Sequence, residues 1–124
     1  MNRKIIFLAL FILLLVIDSE AKYKRIAKVK YQADYGWSKI YNVEVTFLSG
    51  FELNSATKTL NYSSYSIYAV IFWGNNEASV IKLSTILLCG TEVTRDCIEN
   101  TFLDLQGYDQ DGDKWNICIK DFCF

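Results

Sequence analysis

The sequence predicts a small, mostly β (α+β) domain: a curled antiparallel sheet or barrel of five to six strands, with one short helix and two disulfides. Three observations point there. Apolar and polar residues alternate with period two in several short stretches, the mark of strands with one buried face. Residues 67–73 form an apolar run rich in aromatic and β-branched side chains, which suits a central strand covered on both sides. Four cysteines all fall after residue 88, and an even count in a short exported chain reads as two bridges.

Export is read from the first residues. Arg3 and Lys4 precede an unbroken apolar run of 13 residues, 5–17. As a helix it spans about 20 Å, short of the roughly 30 Å of a bilayer core. Ser19 and Ala21 then set small residues at −3 and −1 of a cut after Ala21. Basic start, short apolar middle and small-x-small exit make residues 1–21 a cleavable signal peptide. Residues 22–124 are left as one disulfide-stapled β-rich domain, periplasmic or secreted, with no stable membrane anchor after cleavage. A chain of this size buries roughly two-thirds of its unfolded surface, enough for a thin core.

The first strand is expected at residues 26–33, where Ala27, Val29, Tyr31 and Ala33 alternate with Lys28, Lys30 and Gln32. A turn at 34–38 leads to a second at 39–48, its antiparallel partner. Residues 51–61 lack a clean period and read as a connection with one helical turn. A strand at 65–73, a tight turn at Gly74-Asn75-Asn76 and a partner at 78–83 follow. Residues 85–89 extend that strand or close the barrel. Residues 94–102 are the helix candidate, with Thr94 as its cap and Asp96 in the first turn. A turn at 107–113 then feeds a last strand at 114–120.

Four cysteines permit three pairings. Proximity favours Cys89–Cys97 with Cys118–Cys123, because a chain turning at Gly90 brings the first two together and the tail folds the last two back. The competing pairing, Cys89–Cys118 with Cys97–Cys123, closes longer loops and is not rejected by chain entropy.

Several chemistries are excluded by composition. The chain has no histidine, which removes Ser-His-Asp and Cys-His catalysis and histidine metal sites. It has no proline either, and Lys, Ile, Asn and Tyr are abundant; an AT-rich coding bias of a bacterial or parasitic source accounts for this. A formal net charge of −1 gives nucleic acid no electrostatic purchase. Charge is nevertheless uneven: residues 22–39 hold six bases against Asp34, and residues 92–121 hold eight acids against Arg95, Lys114 and Lys120. Either the two stretches attract one another, or they form a bipolar surface that orients a partner.

Asp109, Asp111 and Asp113 around Gly112 invite a weak calcium site, the one cofactor the sequence raises. An EF-hand needs glycine sixth and glutamate twelfth, whereas counting from Asp109 gives Gly112 fourth and Lys120 twelfth. The structural alternative is a β-turn with positive φ at Gly112 and exposed acids. Glu44, Glu52 and Glu77 are the carboxylates outside the acidic stretch, and two of them lining one cleft would make a small carboxylate-dependent hydrolase. Nothing in their spacing selects a pair. The aromatic side chains remain. Tyr62, Tyr65 and Tyr68, spaced by three, and Trp37 are candidate binding residues, since exposed Tyr and Trp recur in recognition surfaces; core filling is the competing account. Asn61-Tyr62-Ser63 is a formal glycosylation sequon, meaningful in a eukaryotic secretory host. The expectation is an exported, non-enzymatic binding module for a protein or glycan, with an inhibitor or immunity-type protein as one form and the hydrolase as alternative.

Overall fold

The computed structural model describes residues 23–85, 87–100 and 104–124. The expected signal peptide and its cleavage site lie outside these residues. In chain order come β1 (Tyr23–Ala33), β2 (Gly36–Trp37), β3 (Tyr41–Ser49), α1 (Gly50–Thr57), β4 (Ile67–Gly74), β5 (Glu77–Leu83), α2 (Arg95–Glu99), β6 (Leu105–Tyr108) and β7 (Lys114–Cys118). Strands β1, β3, β4, β5, β6 and β7 pair antiparallel in that order. β7 returns to β1 through Lys28–Tyr31, so six strands close into a barrel. Closure leaves those strands no long free edge. β2 is a two-residue addition paired to the end of β1.

Period two decides what fills the barrel. Ala27 and Val29 of β1, Val45 and Phe47 of β3, Ile67, Ala69 and Ile71 of β4, and Trp115 and Ile117 of β7 belong to one interior cluster. A second, smaller core lies outside the wall. Leu53 and Ala56 of α1 pack there with Leu48, Tyr68, Val70, Ala78 and Val80. β4 is therefore covered on both faces, as its continuous apolar run predicts.

The segment expected as a connection is a two-turn helix, α1. Its start is a capping box: Ser49 Oγ accepts from Glu52 N at 3.0 Å, and Glu52 Oε1 accepts from Ser49 N at 2.9 Å. Its end is Lys58 in the left-handed region at φ 55°. Gly50 lets the helix start lie against the loop before β4, since a Cβ there would sit 1.7 Å from the Ser63 carbonyl oxygen. Periodicity hid this helix because Phe51 is exposed while Asn54 is buried, its amide bonded both ways to the Tyr62 backbone.

Two further boundaries differ from expectation. Among the described residues of 85–89 there is no strand; the barrel is closed by β6 and β7 instead. Pairing beyond Leu83 passes to single contacts, Ser84 N to Gln106 O at 2.8 Å and Gln106 N to Thr85 Oγ1 at 2.9 Å. The later helix is shorter than 94–102: α2 covers Arg95–Glu99 behind its Thr94 cap. Both disulfides take the local pairing, Cys89–Cys97 with Cα atoms 5.3 Å apart and Cys118–Cys123 at 5.7 Å. Among the described residues no helix is long and apolar enough to cross a membrane.

Candidate functional site at the turn end of the barrel

Strand direction alternates around the barrel, so the β1–β3, β4–β5 and β6–β7 connections emerge at one end, here called the turn end. The connections carrying α1 and α2 leave from the other. At the turn end β1, β3, β4 and β7 each carry an aromatic residue that belongs to or packs on the interior cluster. Tyr31, Tyr41, Trp73 and Trp115 form a cycle of ring contacts. Tyr31 stacks on Tyr41 at 6.4 Å between centroids, Tyr41 meets Trp73 edge-on at 5.4 Å, Trp73 leans on Trp115 at 6.1 Å, and Trp115 on Tyr31 at 5.1 Å. Trp115 is fully buried at the base, whereas the other three are half-buried. The Lys39 ammonium lies 5.0 Å from the Tyr41 ring centroid, within cation–π range.

The quartet is held by polar contacts at its edges. Trp73 Nε1 donates to Ser79 Oγ at 2.9 Å, and Trp115 Nε1 donates to Asp109 Oδ2 at 2.8 Å. Asp109 Oδ1 also accepts from the backbone N–H groups of Asp111 and Asp113, at 2.9 and 3.0 Å. This buried carboxylate thus ties the β6–β7 turn to the indole beneath it. Gln110 extends the work: its amide accepts from Val80 N and donates to Ala78 O, pairing with β5 beyond the end of β6. At the β4–β5 turn, Asn75 and Asn76 both adopt positive φ, 53° and 60°, as a two-residue hairpin loop requires.

The acidic string therefore serves the turn. The carboxylates of Asp109, Asp111 and Asp113 lie within 4.8 Å of one another, and Gly112 takes φ 85° as the turn alternative requires. Asp111 is exposed as that alternative expects, whereas Asp109 is buried and Asp113 half-buried. Glu52 is likewise occupied by its helix cap and by Val93 N at 3.2 Å. Glu44 points outward from the middle of β3, and Glu77 begins β5 at the turn end. These carboxylates share no cleft.

The four aromatic residues singled out in the sequence are not brought together. Tyr62 and Tyr68 meet edge-on at 5.2 Å on the outer wall beside α1. Tyr68 is buried, and its hydroxyl accepts from Ser63 N at 3.0 Å. Burial, with Tyr68 close by, raises the Tyr62 phenol above its ordinary 10.0. Tyr65 is exposed on the loop before β4, near the exposed Asn61 of the sequon. Trp37 lies on the outer wall near the turn end, where Lys30 Nζ sits between its ring at 4.9 Å and that of Phe124 at 4.6 Å. Sequence reasoning passed over Tyr31, Tyr41 and Trp73 because each reads as strand propensity. The available signal was their common place: β1, β3, β4 and β7 each carry an aromatic residue at the turn end.

At the other end the basic and acidic stretches do meet. Glu99 receives the Tyr23 hydroxyl and pairs with Arg25 at 3.5 Å, while Lys120 Nζ donates to its carbonyl at 2.8 Å. Burial first, and then the Glu99 contact, push the Tyr23 phenol up to about 12. Beside this cluster is a cavity of about 160 Å³ lined by Arg25, Ile26, Lys28, Asn42 and Lys120. It is smaller than the roughly 300–1,000 Å³ of ligand pockets. No family model matches the chain, and the comparisons with curated proteins and solved structures give no match either.

Proposed function

We propose that the chain is an exported, non-enzymatic binding module that recognises a protein or glycan through the turn end of its barrel. The supporting observation is the aromatic quartet. Three half-buried rings stand on strands of a closed barrel over the buried Trp115, with Trp73 hydrogen-bonded to Ser79 and Trp115 to Asp109. Rings fixed before the partner arrives lose little freedom on binding, which favours recognition. Tyr35 on the β1–β2 turn and Ile40 before β3 widen the surface with exposed side chains. An inhibitor or immunity-type protein is one specific form of this function. Export rests on the basic, apolar and small-x-small pattern of residues 1–21, and two disulfides suit an oxidising compartment. The hydrolase alternative has less support, since Glu52 and Asp109 already serve as structural acceptors.

A photo-crosslinking residue tests the assignment of the surface. Placed at Tyr35, which is 86% exposed, it is expected to give a discrete adduct with the envelope fraction of the native host. The same group at Leu60, 92% exposed on the α1 side of the wall, is expected to give none. Adducts from both positions, or from neither, would sink the assignment.

A further inference from the structure

The geometry points to a tetrahedral oxyanion, phosphate or sulfate, as the occupant of the cavity between β1 and the C-terminal tail. This site lies on the outer wall and does not depend on the turn end. Strand pairing makes the space. β1 and β7 run together as far as Lys28 and Cys118, after which the tail bends back at Lys120 and Asp121 to close Cys118–Cys123. Among the described residues, 25–27 pair with β3 on one side and with no strand on the other, so a wedge opens there. The N–H and C=O of Tyr31 both bond to Ser38, on the β3 side. Strand alternation therefore turns those of Ile26 into the wedge. Arg25 Nε donates to the Ile26 carbonyl at 3.1 Å, which brings its guanidinium to the same place.

Charge selects an anion. Arg25, Lys28, Lys120 and Asn42 line the cavity, with the exposed Asp121 as its lining carboxylate. Glu44 stands across from Ile26 on β3. Glu99 takes one guanidinium nitrogen of Arg25, and its backbone carbonyl accepts from Lys120 Nζ. Arginine has five N–H donors and lysine three, so both keep donors for a ligand. Lys28 is half-buried, and among the described residues it forms no ion pair. Shape then selects a tetrahedral group. The space of about 160 Å³ admits a few heavy atoms, since a water molecule occupies about 30 Å³ in the liquid. A planar carboxylate is matched by one guanidinium fork. Here the donors come from three chain segments, β1, β3 and the tail, and suit oxygens that point in more than two directions. Ile26, Asn42 and Asp121 are exposed, so the cavity opens to solvent and a monoester can enter phosphate first.

The disulfide-bonded protein is titrated with sodium phosphate, sodium sulfate, glycerol 3-phosphate and acetate at matched ionic strength, reading heat and, for the phosphates, phosphorus NMR line width. Phosphate or sulfate is expected to bind at millimolar concentration or below, with an affinity that falls as sodium chloride is raised. Lys28→Gln is expected to weaken binding about tenfold, the scale of one charge-assisted hydrogen bond, and Lys28→Arg to retain it. Lys82→Gln, exposed on β5, is expected to change nothing. Melting in chloride alone follows the folding of each variant. Should Lys28→Gln melt below the parent, Asn42→Val decides, a change that an exposed strand position tolerates; it is expected to weaken binding about threefold. Tighter binding of glycerol 3-phosphate than of inorganic phosphate identifies an ester-bearing ligand, and weaker binding the free ion. Absence of saturable heat from phosphate and sulfate at millimolar concentration overturns the proposal. So does binding that ignores the deciding variant, or acetate that binds as tightly as the tetrahedral ions.

Discussion

Two stretches of the barrel's outer wall are covered, and by unlike means. Over β3, β4 and β5 the cover is α1, seated on Leu48, Tyr68, Val70 and Val80. Over β1 and β7 it is the C-terminal tail, tied by Cys118–Cys123 and ending in Phe124 above Lys30. The first wall presents apolar side chains outward, so burial alone holds a helix there. The second presents Lys28, Lys30 and Asn116 outward and offers little apolar area, so the cover is held by a covalent bond and a cation–π contact. The difference teaches that a short barrel does not need the same outer layer everywhere. Each wall takes the cover its outward-facing residues can hold.

The sharpest way to break the contrast is Leu53→Ala. Leu53 is fully buried beneath α1, and its truncation is expected to cost about 3 kcal/mol, combining lost transfer energy with a cavity. Urea denaturation measures it; a loss below 1 kcal/mol would mean that α1 is not held by burial. On the other wall, Cys118→Ser with Cys123→Ser is expected to cost about 2 kcal/mol, the chain-entropy value for so short a loop. The same variant should red-shift Trp37 emission, because Phe124 is no longer fixed across Lys30. Lys30→Gln is expected to cost less, about 0.5–1 kcal/mol for an exposed cation–π contact. A double-mutant cycle with Trp37→Leu isolates that coupling. The smallest effect at neutral pH is that of Tyr23, which is protonated there in both folded and unfolded chains. The folded protein holds the phenolic proton up to about 12, against 10.0 for the free group. Stability is therefore intact below pH 10 and falls as the pH rises towards 12. Tyr23→Phe should remove that part of the slope in alkaline denaturation.

Period two made most of the fold legible. β1, β3 and β7 each alternate, and the continuous run of β4 announced a strand with cover on both sides. The local disulfides were legible from spacing and the turn at Gly90. What stayed hidden depended on contacts distant in sequence. α1 has no apolar stripe of its own, and its capping glutamate also serves Val93, 41 residues away. The spacing of the acidic string offers a metal candidate, but not the bond that Asp109 accepts from Trp115. Tyr31, Tyr41 and Trp73 lie far apart in sequence, and only strand order and direction bring them to one end. Tyr62 and Tyr68, by contrast, had a suggestive spacing, yet Tyr68 is on the outer face of β4 and Tyr62, from the loop before it, packs there beside α1.

The pairing of β1 with β7 has a consequence for how the chain is made. The strand that closes the barrel is the last to be synthesised, and the strand it meets is the first of the domain. A ribosome releasing this chain holds an open sheet with two waiting edges until β7 emerges. The loop that must close spans nearly the whole domain, so its entropy delays formation of the finished barrel. Until then the Lys28–Tyr31 edge of β1 waits without the partner that β7 supplies.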